Sequence, residues 1–310
     1  MFRVIVLCLV CLGVLEAIES IFCHPVINSY YRWAQNEITV ATTAINASEN
    51  PQENINKICD IVALIKEEHN NIDLIVFGEV ITGNYKTGDD NYHKSIADTI
   101  PGSITKSLSE ICIENAVYIS AGMPERYKGG VYNSQVLISD SGQIIDVQRK
   151  KYPRTPSFDA GTSTISVIDI KGIKTGTTIC YDITKKETVN TARNEFISLL
   201  IHSNADYSEG FDKINFAYRY LAKKYRSWLV TSNRVGKEGN TRWDGHIEII
   251  DPFGNVVKKG KGQEQYLAYK IKCNTDSVFL NRPLYNLYNK ISLIVFTVRN
   301  FNIARRYYNF

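Results

Sequence analysis

From Glu37 onward the chain alternates short β-rich runs with helical patterns, and this alternation limits its fold more than any other feature. Glu37 to Ala44 (EITVATTA) reads as a first strand. Ile55, Ile58, Ile61, Val62 and Ile65 then recur at helical spacing, so 52–68 reads as an amphipathic helix covering that strand. Asp73 to Phe77 (DLIVF) follows as a continuously apolar strand, the pattern of a sheet covered on both faces. A helix over Pro101 to Asn115 leads into a strand at Val117 to Gly122. Val131 to Ser139 and Gln143 to Gln148 flank Asp140-Ser141-Gly142, a hairpin turn in which Gly supplies the positive φ. Further strands are expected at Ile165–Ile170, Thr175–Ile179, Ile197–Ser203 and Ser227–Ser232, with a helix over Phe211–Arg226 and a final pair at Gly245–Ile250 and Asn255–Lys259. The result is a layered α/β domain, with no linker or repeat to divide it.

The ends of the chain read differently. Arg3 precedes Val4 to Leu15, an unbroken apolar run with the layout of a secretory signal and too short to span a bilayer comfortably. Residues 1–20 are therefore expected to be a signal peptide, with Ser20 as the last residue before cleavage, or an uncleaved N-terminal anchor. The chain is exported, secreted or periplasmic, in the first case and anchored in the second. Residues 273–310 form a C-terminal tail in which Ile291 to Val298 is apolar and Arg299, Arg305, Arg306, Tyr307 and Tyr308 follow. Two readings stand for it: packing on the domain or on a partner subunit, or a peripheral membrane contact.

Composition removes several function classes. A net charge of +4 over 310 residues makes no basic stripe of the kind nucleic acid requires, so no nucleic-acid partner is expected. The 7 cysteines are an odd number, and Cys8 and Cys11 lie in the signal-like run. The others contain no Cys-x-x-Cys pair and no cysteine and histidine cluster at zinc spacing, so neither a redox motif nor a structural metal site is indicated; no metal and no cofactor is expected. Up to two disulfides are conceivable.

Three polar residues stand where strands end, the place where catalytic groups collect in α/β layers. Glu79 follows Asp73–Phe77, Lys150 follows Gln143–Gln148, and Cys180 follows Thr175–Ile179. Singly, each reads as a cap, a surface lysine or a small core residue. Their strings are Leu74-Ile75-Val76-Phe77-Gly78-Glu79, Gln148-Arg149-Lys150-Lys151-Tyr152 and Thr178-Ile179-Cys180-Tyr181-Asp182. In that order they resemble the nitrilase superfamily, the carbon-nitrogen hydrolases, in its amidase-like branch. The resemblance extends through Tyr132-Asn133-Ser134, Glu187, Ser232-Asn233-Arg234-Val235-Gly236 and Gly245 with Ile250-Asp251-Pro252-Phe253-Gly254, and covers 37–272.

The resemblance implies a four-layer αββα sandwich that commonly pairs into dimers, so a homo-oligomer is expected. It places the family's Glu-Lys-Cys triad on Glu79, Lys150 and Cys180, and makes Lys150 and the backbone N–H of Tyr181 the oxyanion donors. Lys151 is the alternative amine if the register shifts by one. Many relatives carry a further carboxylate between the lysine and the cysteine; no glutamate stands there, and Asp159 is the nearest candidate. The chemistry follows from the parts. A thiol needs a base to become a nucleophile, and attack on an amide carbonyl builds an oxyanion that needs preplaced donors. The expected activity is cleavage of the C–N bond of a linear carboxamide, small or peptide-like, through a cysteine thioester. The alternatives are an N-acyltransferase of the apolipoprotein type and a catalytically inactive binding relative. His202 reads as a structural or pocket-lining residue, and the loops Lys86–His93 and Asp206–Lys213 are expected to shape the pocket.

Overall fold

The computed structural model describes residues 2–86, 89–206, 211–275 and 282–300, so part of each pocket-shaping loop, and Arg305, Arg306, Tyr307 and Tyr308, lie outside the described residues. Two sheets make the centre. The first has the order β5-β4-β3-β2-β1, with β13 (Gln265–Cys273) on the other side of β1. Its strands are β1 (Asn36–Ile45), β2 (Leu74–Val76), β3 (Tyr118–Tyr127), β4 (Gly130–Ile138) and β5 (Ile144–Arg149). The second has the order β6-β7-β8-β9, followed by β11 and β12. Its strands are β6 (Ser166–Ile170), β7 (Ile173–Ile179), β8 (Leu199–Ser203), β9 (Trp228–Glu238), β11 (Ile247–Ile250) and β12 (Val256–Gly260), and β10 (Thr241–Asp244) folds back on the end of β9. The two sheets join where Ala44 and Ile45 of β1 pair in parallel with Asn233 and Arg234 of β9.

Three apolar clusters fill the three spaces between four layers. Val40, Leu74, Val76 and Leu137 of the first sheet meet Ile173, Leu199, Ile201 and Val230 of the second. On the outer face of the first sheet lie α2 (Pro51–Glu68) and α4 (Ser103–Asn115), through Ile55, Ile58, Val62, Ile65, Ile104, Leu108 and Ile111. On the outer face of the second lie α5 (Lys186–Asn194) and α6 (Phe211–Tyr225), through Val189, Ala192, Phe216 and Leu221. This is the expected αββα sandwich. Each buried aliphatic side chain contributes about 2 kcal/mol to holding the layers together.

Local chemistry explains the elements. Asn50 caps α2 by accepting the Gln52 N–H, and Pro51 opens the helix with its φ already set. Gly142 takes φ 78° in the β4–β5 hairpin, as the turn requires. Several elements went unread, β10 and the short helix Asp90–Ile96 among them. α5 (KETVNTARN) is too polar to show a helical apolar period, and β13 earns its place by pairing with β1 along its whole length. The N-terminal segment is one helix, α1 (Phe2–Arg32), and the C-terminal tail contains α7 (Pro283–Arg299), which packs on α1 and α6. A short helix, α3 (Asp90–Ile96), precedes α4. The described cysteines, including Cys59, Cys112 and Cys273, are free thiols.

Direction follows from the pairing. β1 is parallel to β2 and β9, β9 to β8, β8 to β7, and β2 to β3, while β5 returns to that direction after two antiparallel steps. The carboxyl ends of β2, β5, β7, β8 and β9 therefore open on the same side, where α/β folds place their ligands.

Candidate active site

Glu79 and Lys150 emerge from the ends of β2 and β5 and meet. The Lys150 Nζ donates to Glu79 Oε1 at 2.6 Å, and both side chains are enclosed. Asn133 on β4 donates its Nδ2 to the same oxygen at 2.6 Å. Oε2 of Glu79 is buried and takes no hydrogen bond among the described residues. The carboxylate is thus clamped by one oxygen and open at the other.

Cys180 ends β7 and begins a 3-10 helix (Cys180–Thr184) with φ 45°, a left-handed conformation that costs a non-glycine residue free energy. Such a strained turn lifts a nucleophile off the end of its strand. The thiol keeps part of its surface, yet burial raises its pKa; Lys150 and the Ala205 N–H draw it down, and Glu79 and Asp206 push it further up. Cys180 therefore rests as a neutral thiol and needs a base. Burial alone would lower the pKa of Lys150, but the negative charge available to Cys180 and Glu79 outweighs it and holds the ammonium charged.

Lys151 points elsewhere, pairing with Glu187 at 3.0 Å on the surface, while its backbone N–H donates to Asp182 at 2.8 Å. Tyr152 N–H donates to the other oxygen of Asp182 at 3.0 Å, so this carboxylate ties the Lys150 loop to the Cys180 turn. Tyr181 lies in the first turn of the 3-10 helix, where backbone N–H groups lack an intrahelical acceptor. Its ring is exposed, with Lys185 3.8 Å and Arg154 5.4 Å from its centre, so the rim is aromatic and cationic.

Asp159 is exposed, and its carboxylate accepts the Val131 N–H at 3.0 Å. The second carboxylate bearing on Cys180 is Asp206, from the segment after β8. That segment lines the site: Asn204 O accepts the Glu79 N–H at 3.2 Å, Ala205 N–H faces Cys180, and Asp206 Oδ2 accepts the Tyr218 hydroxyl at 2.5 Å. His202, against the Tyr218 ring, is pushed down to about 3 by burial and stays neutral.

Burial, with Glu79 adding to it, pushes the Asp206 carboxyl up from 3.8 to about 6. The folded state therefore holds a proton that the unfolded chain releases from about pH 4 upward, and stability falls as pH rises through that window. Asp206→Asn is expected to be more stable than the parent by up to about 3 kcal/mol at pH 8, with the gain vanishing below pH 4. Urea melts at both pH values measure it, and a gain independent of pH would refute the burial cost.

The Ser232-Asn233-Arg234 run of β9 holds these pieces. Ser232 Oγ donates to Phe77 O at 2.9 Å, and Asn233 Oδ1 accepts the Asp206 N–H at 3.0 Å. Arg234 Nη1 donates to the carbonyls of Glu79 (2.7 Å) and Val80 (2.8 Å), and Nη2 to that of Gly83 (2.7 Å). Its charge is met by Glu238 at 2.7 Å, which also accepts the Tyr85 N–H at 2.7 Å. Gly122 completes the seat: a Cβ there would lie 2.3 Å from the Val80 nitrogen, so only glycine lets β3 pass the Glu79 loop.

The chain is similar to known proteins in sequence and in fold. The chain is 27% identical to the Xenopus laevis protein Omega-amidase NIT2-A over 71% of its own length and 83% of that protein's. It is 28% identical to the Schizosaccharomyces pombe protein Probable nitrilase C965.09 over the same shares. In three dimensions it is similar to Saccharomyces cerevisiae Nit3, of the nitrilase superfamily, with a TM-score of 0.71 and 19% identity, covering 76% of this chain and 90% of that one. It is also similar to an amidase from Nesterenkonia sp., with a TM-score of 0.67 and 17% identity, covering 82% and 96%. The profile of the family described as carbon-nitrogen hydrolase matches residues 38–275, and with that match over a buried Glu-Lys pair beside a strand-end cysteine, the chain belongs to the carbon-nitrogen hydrolases.

Proposed function

We propose that the protein is a thiol-dependent amidohydrolase that opens the C–N bond of a carboxamide through a thioester on Cys180. The observation that carries this reading is the half-occupied carboxylate of Glu79, held at Oε1 by Lys150 and Asn133 and open at Oε2. Oε2 takes the thiol proton, and the sulfur attacks the amide carbon. Lys150 and the Tyr181 N–H stabilise the oxyanion. As the C–N bond breaks, Glu79 returns its proton to the leaving nitrogen, releasing ammonia or an amine. Glu79 then takes a proton from water as its oxygen adds to the thioester; the sulfur leaves as the acid forms and recovers the proton. The amidase names of the relatives support an amide as substrate, and the cations Arg154 and Lys185 on the rim support an acyl chain that ends in an anion.

A panel of primary amides, paired with and without a distal carboxylate, tests this reading. Turnover is expected to favour the anionic members and to fall by at least about 10⁴-fold in Cys180→Ala. Mass spectrometry of the parent chain quenched during turnover should show an acyl adduct on Cys180. Retained activity in Cys180→Ala would end the proposal. Added hydroxylamine or a primary amine separates the acyl-transfer alternative, which requires the amine to take the acyl group in preference to water.

A further inference from the structure

Far from the catalytic edge, α1 and α7 pair into a surface that the fold itself does not cover. An 18-residue stretch of α1 between Cys11 and Arg32 has a mean hydropathy of 1.3, and only 6% of it is buried. Apolar surface of that extent marks a partner. The last turns of α1 do dock: Val26 and Tyr30 pack on Phe253, Tyr285 and Tyr288, and Asn274 donates to the Tyr30 carbonyl at 3.3 Å. Earlier along α1, α7 runs beside it, and its exposed Leu284, Leu287, Ile294 and Val298 recur at intervals of three, seven and four, which keeps them on one helical face. Ile18 and Phe22 of α1 and Ile291 of α7 close an apolar groove between the helices.

The charges on this pair are already matched. Glu16 meets Arg299 at 2.9 Å, and Glu19 accepts the Ser292 hydroxyl at 2.6 Å with Lys223 at 3.8 Å. Paired acids can enter a medium of low dielectric at far smaller cost than lone ones. At the other end of α1 stand Arg32 and the exposed Trp33, with Arg282 6.0 Å from the Trp33 ring, an aromatic and basic edge suited to a headgroup layer. Lys290, one turn before Ile294, lines a cavity of about 770 Å³ with Arg193 and Arg226. Burial and the nearby Arg193 hold the Arg226 guanidinium below its ordinary value.

We propose that α1 is retained with the folded domain and that α1 and α7 together seat the enzyme on a lipid bilayer bearing anionic headgroups. Arg193, Arg226 and Lys290 gather cationic side chains around one cavity beside α7, and anionic lipid headgroups neutralise such a cluster. Arg299 reaches Glu16 at the end of α7, and the apolar run Val4–Leu15 precedes Glu16 in the sequence. At 1.5 Å per residue it is about 18 Å long, enough to enter one leaflet and short of a ~30 Å core.

Flotation of the full chain with vesicles tests the proposal. The intact mass should include residues 1–20, and the protein should float with phosphatidylcholine vesicles and bind at lower lipid concentration when a third of the lipid is phosphatidylglycerol. Leu284→Glu, Leu287→Glu and Ile294→Glu combined should raise the lipid concentration for half binding at least tenfold with amidase activity kept, and Lys290→Glu should erase the preference for anionic lipid. A chain processed after Ser20, absence of flotation, or unchanged binding by the triple variant would each overturn it. So would a dimer in light scattering that ignores vesicles and is split by the triple variant, which would assign the face to a second copy.

Discussion

Glu79→Gln is expected to lower kcat on a carboxamide by about 10³-fold while making Cys180 easier to alkylate at pH 7. The two effects run in opposite directions because Glu79 does two things. In the proposed mechanism it is the base that every step requires, and its charge raises the pKa of the Cys180 thiol and occupies the ammonium of Lys150. Glutamine keeps the shape and an oxygen for Asn133 and Lys150, so the site stays assembled without a proton acceptor. Lys150 then has Cys180 as its nearest anionic partner, and the thiolate becomes more populated. Iodoacetamide kinetics beside steady-state turnover distinguish the outcomes. Slower alkylation together with lost turnover would mean that Lys150 does not stabilise the sulfur anion, and the assignment of the oxyanion site would go with it.

Arg234→Met should produce the largest loss of stability of any single change at the site, about 3–5 kcal/mol. Arg234 and Glu238 are both enclosed, and the guanidinium serves three carbonyls of the Glu79 loop as well as the Glu238 carboxylate. Removing it leaves a buried charge and takes the guanidinium from the carbonyls of Glu79 and Gly83, each a separate penalty, while the Val80 carbonyl keeps the Gly83 N–H at 3.1 Å. At roughly 2–4 °C per kcal/mol for a chain of this size, the thermal midpoint should fall by about 10 °C. Glu238→Gln in the same background should recover part of the loss, because the stranded charge disappears. Activity measured well below the new midpoint should still be reduced, since Val80, held at φ 51° next to Glu79, is free to relax when its carbonyl loses the guanidinium. Full activity in the folded variant would make Arg234 a stabilising residue without a positioning role.

Much of the local architecture could be read in advance where a residue's own neighbours set the energy. The Ile55, Ile58, Val62, Ile65 spacing buries one face of α2 whatever lies beneath it, and DLIVF suits only a covered strand. α5 and β13 escaped because their conformations are held by distant partners, β13 through its ladder with β1 and α5 through Val189 and Ala192 against the second sheet. The site divides in the same way. Glu79, Lys150 and Cys180 announce themselves by standing at strand ends in a familiar order. Asp206 could not be recognised, since a carboxylate after β8 becomes part of the site only when Asn204 and Ala205 are drawn against Glu79 and Cys180. Ser232-Asn233-Arg234 was visible only as a resemblance, and its work of tying β9 to the Glu79 loop appears once the two sheets are joined.

The sequence by itself therefore determined the layered α/β plan, the three strand-end side chains proposed to react and the family, because these depend on short-range periodicity and on motifs within single strands. The tertiary structure alone decided which oxygen of Glu79 is open, which carboxylate shares the site and which arginine holds the loop. Those outcomes depend on pairings such as Glu79 with Lys150 and Ala44 with Asn233, which bring separate strand ends to one edge through long-range register that no local pattern encodes.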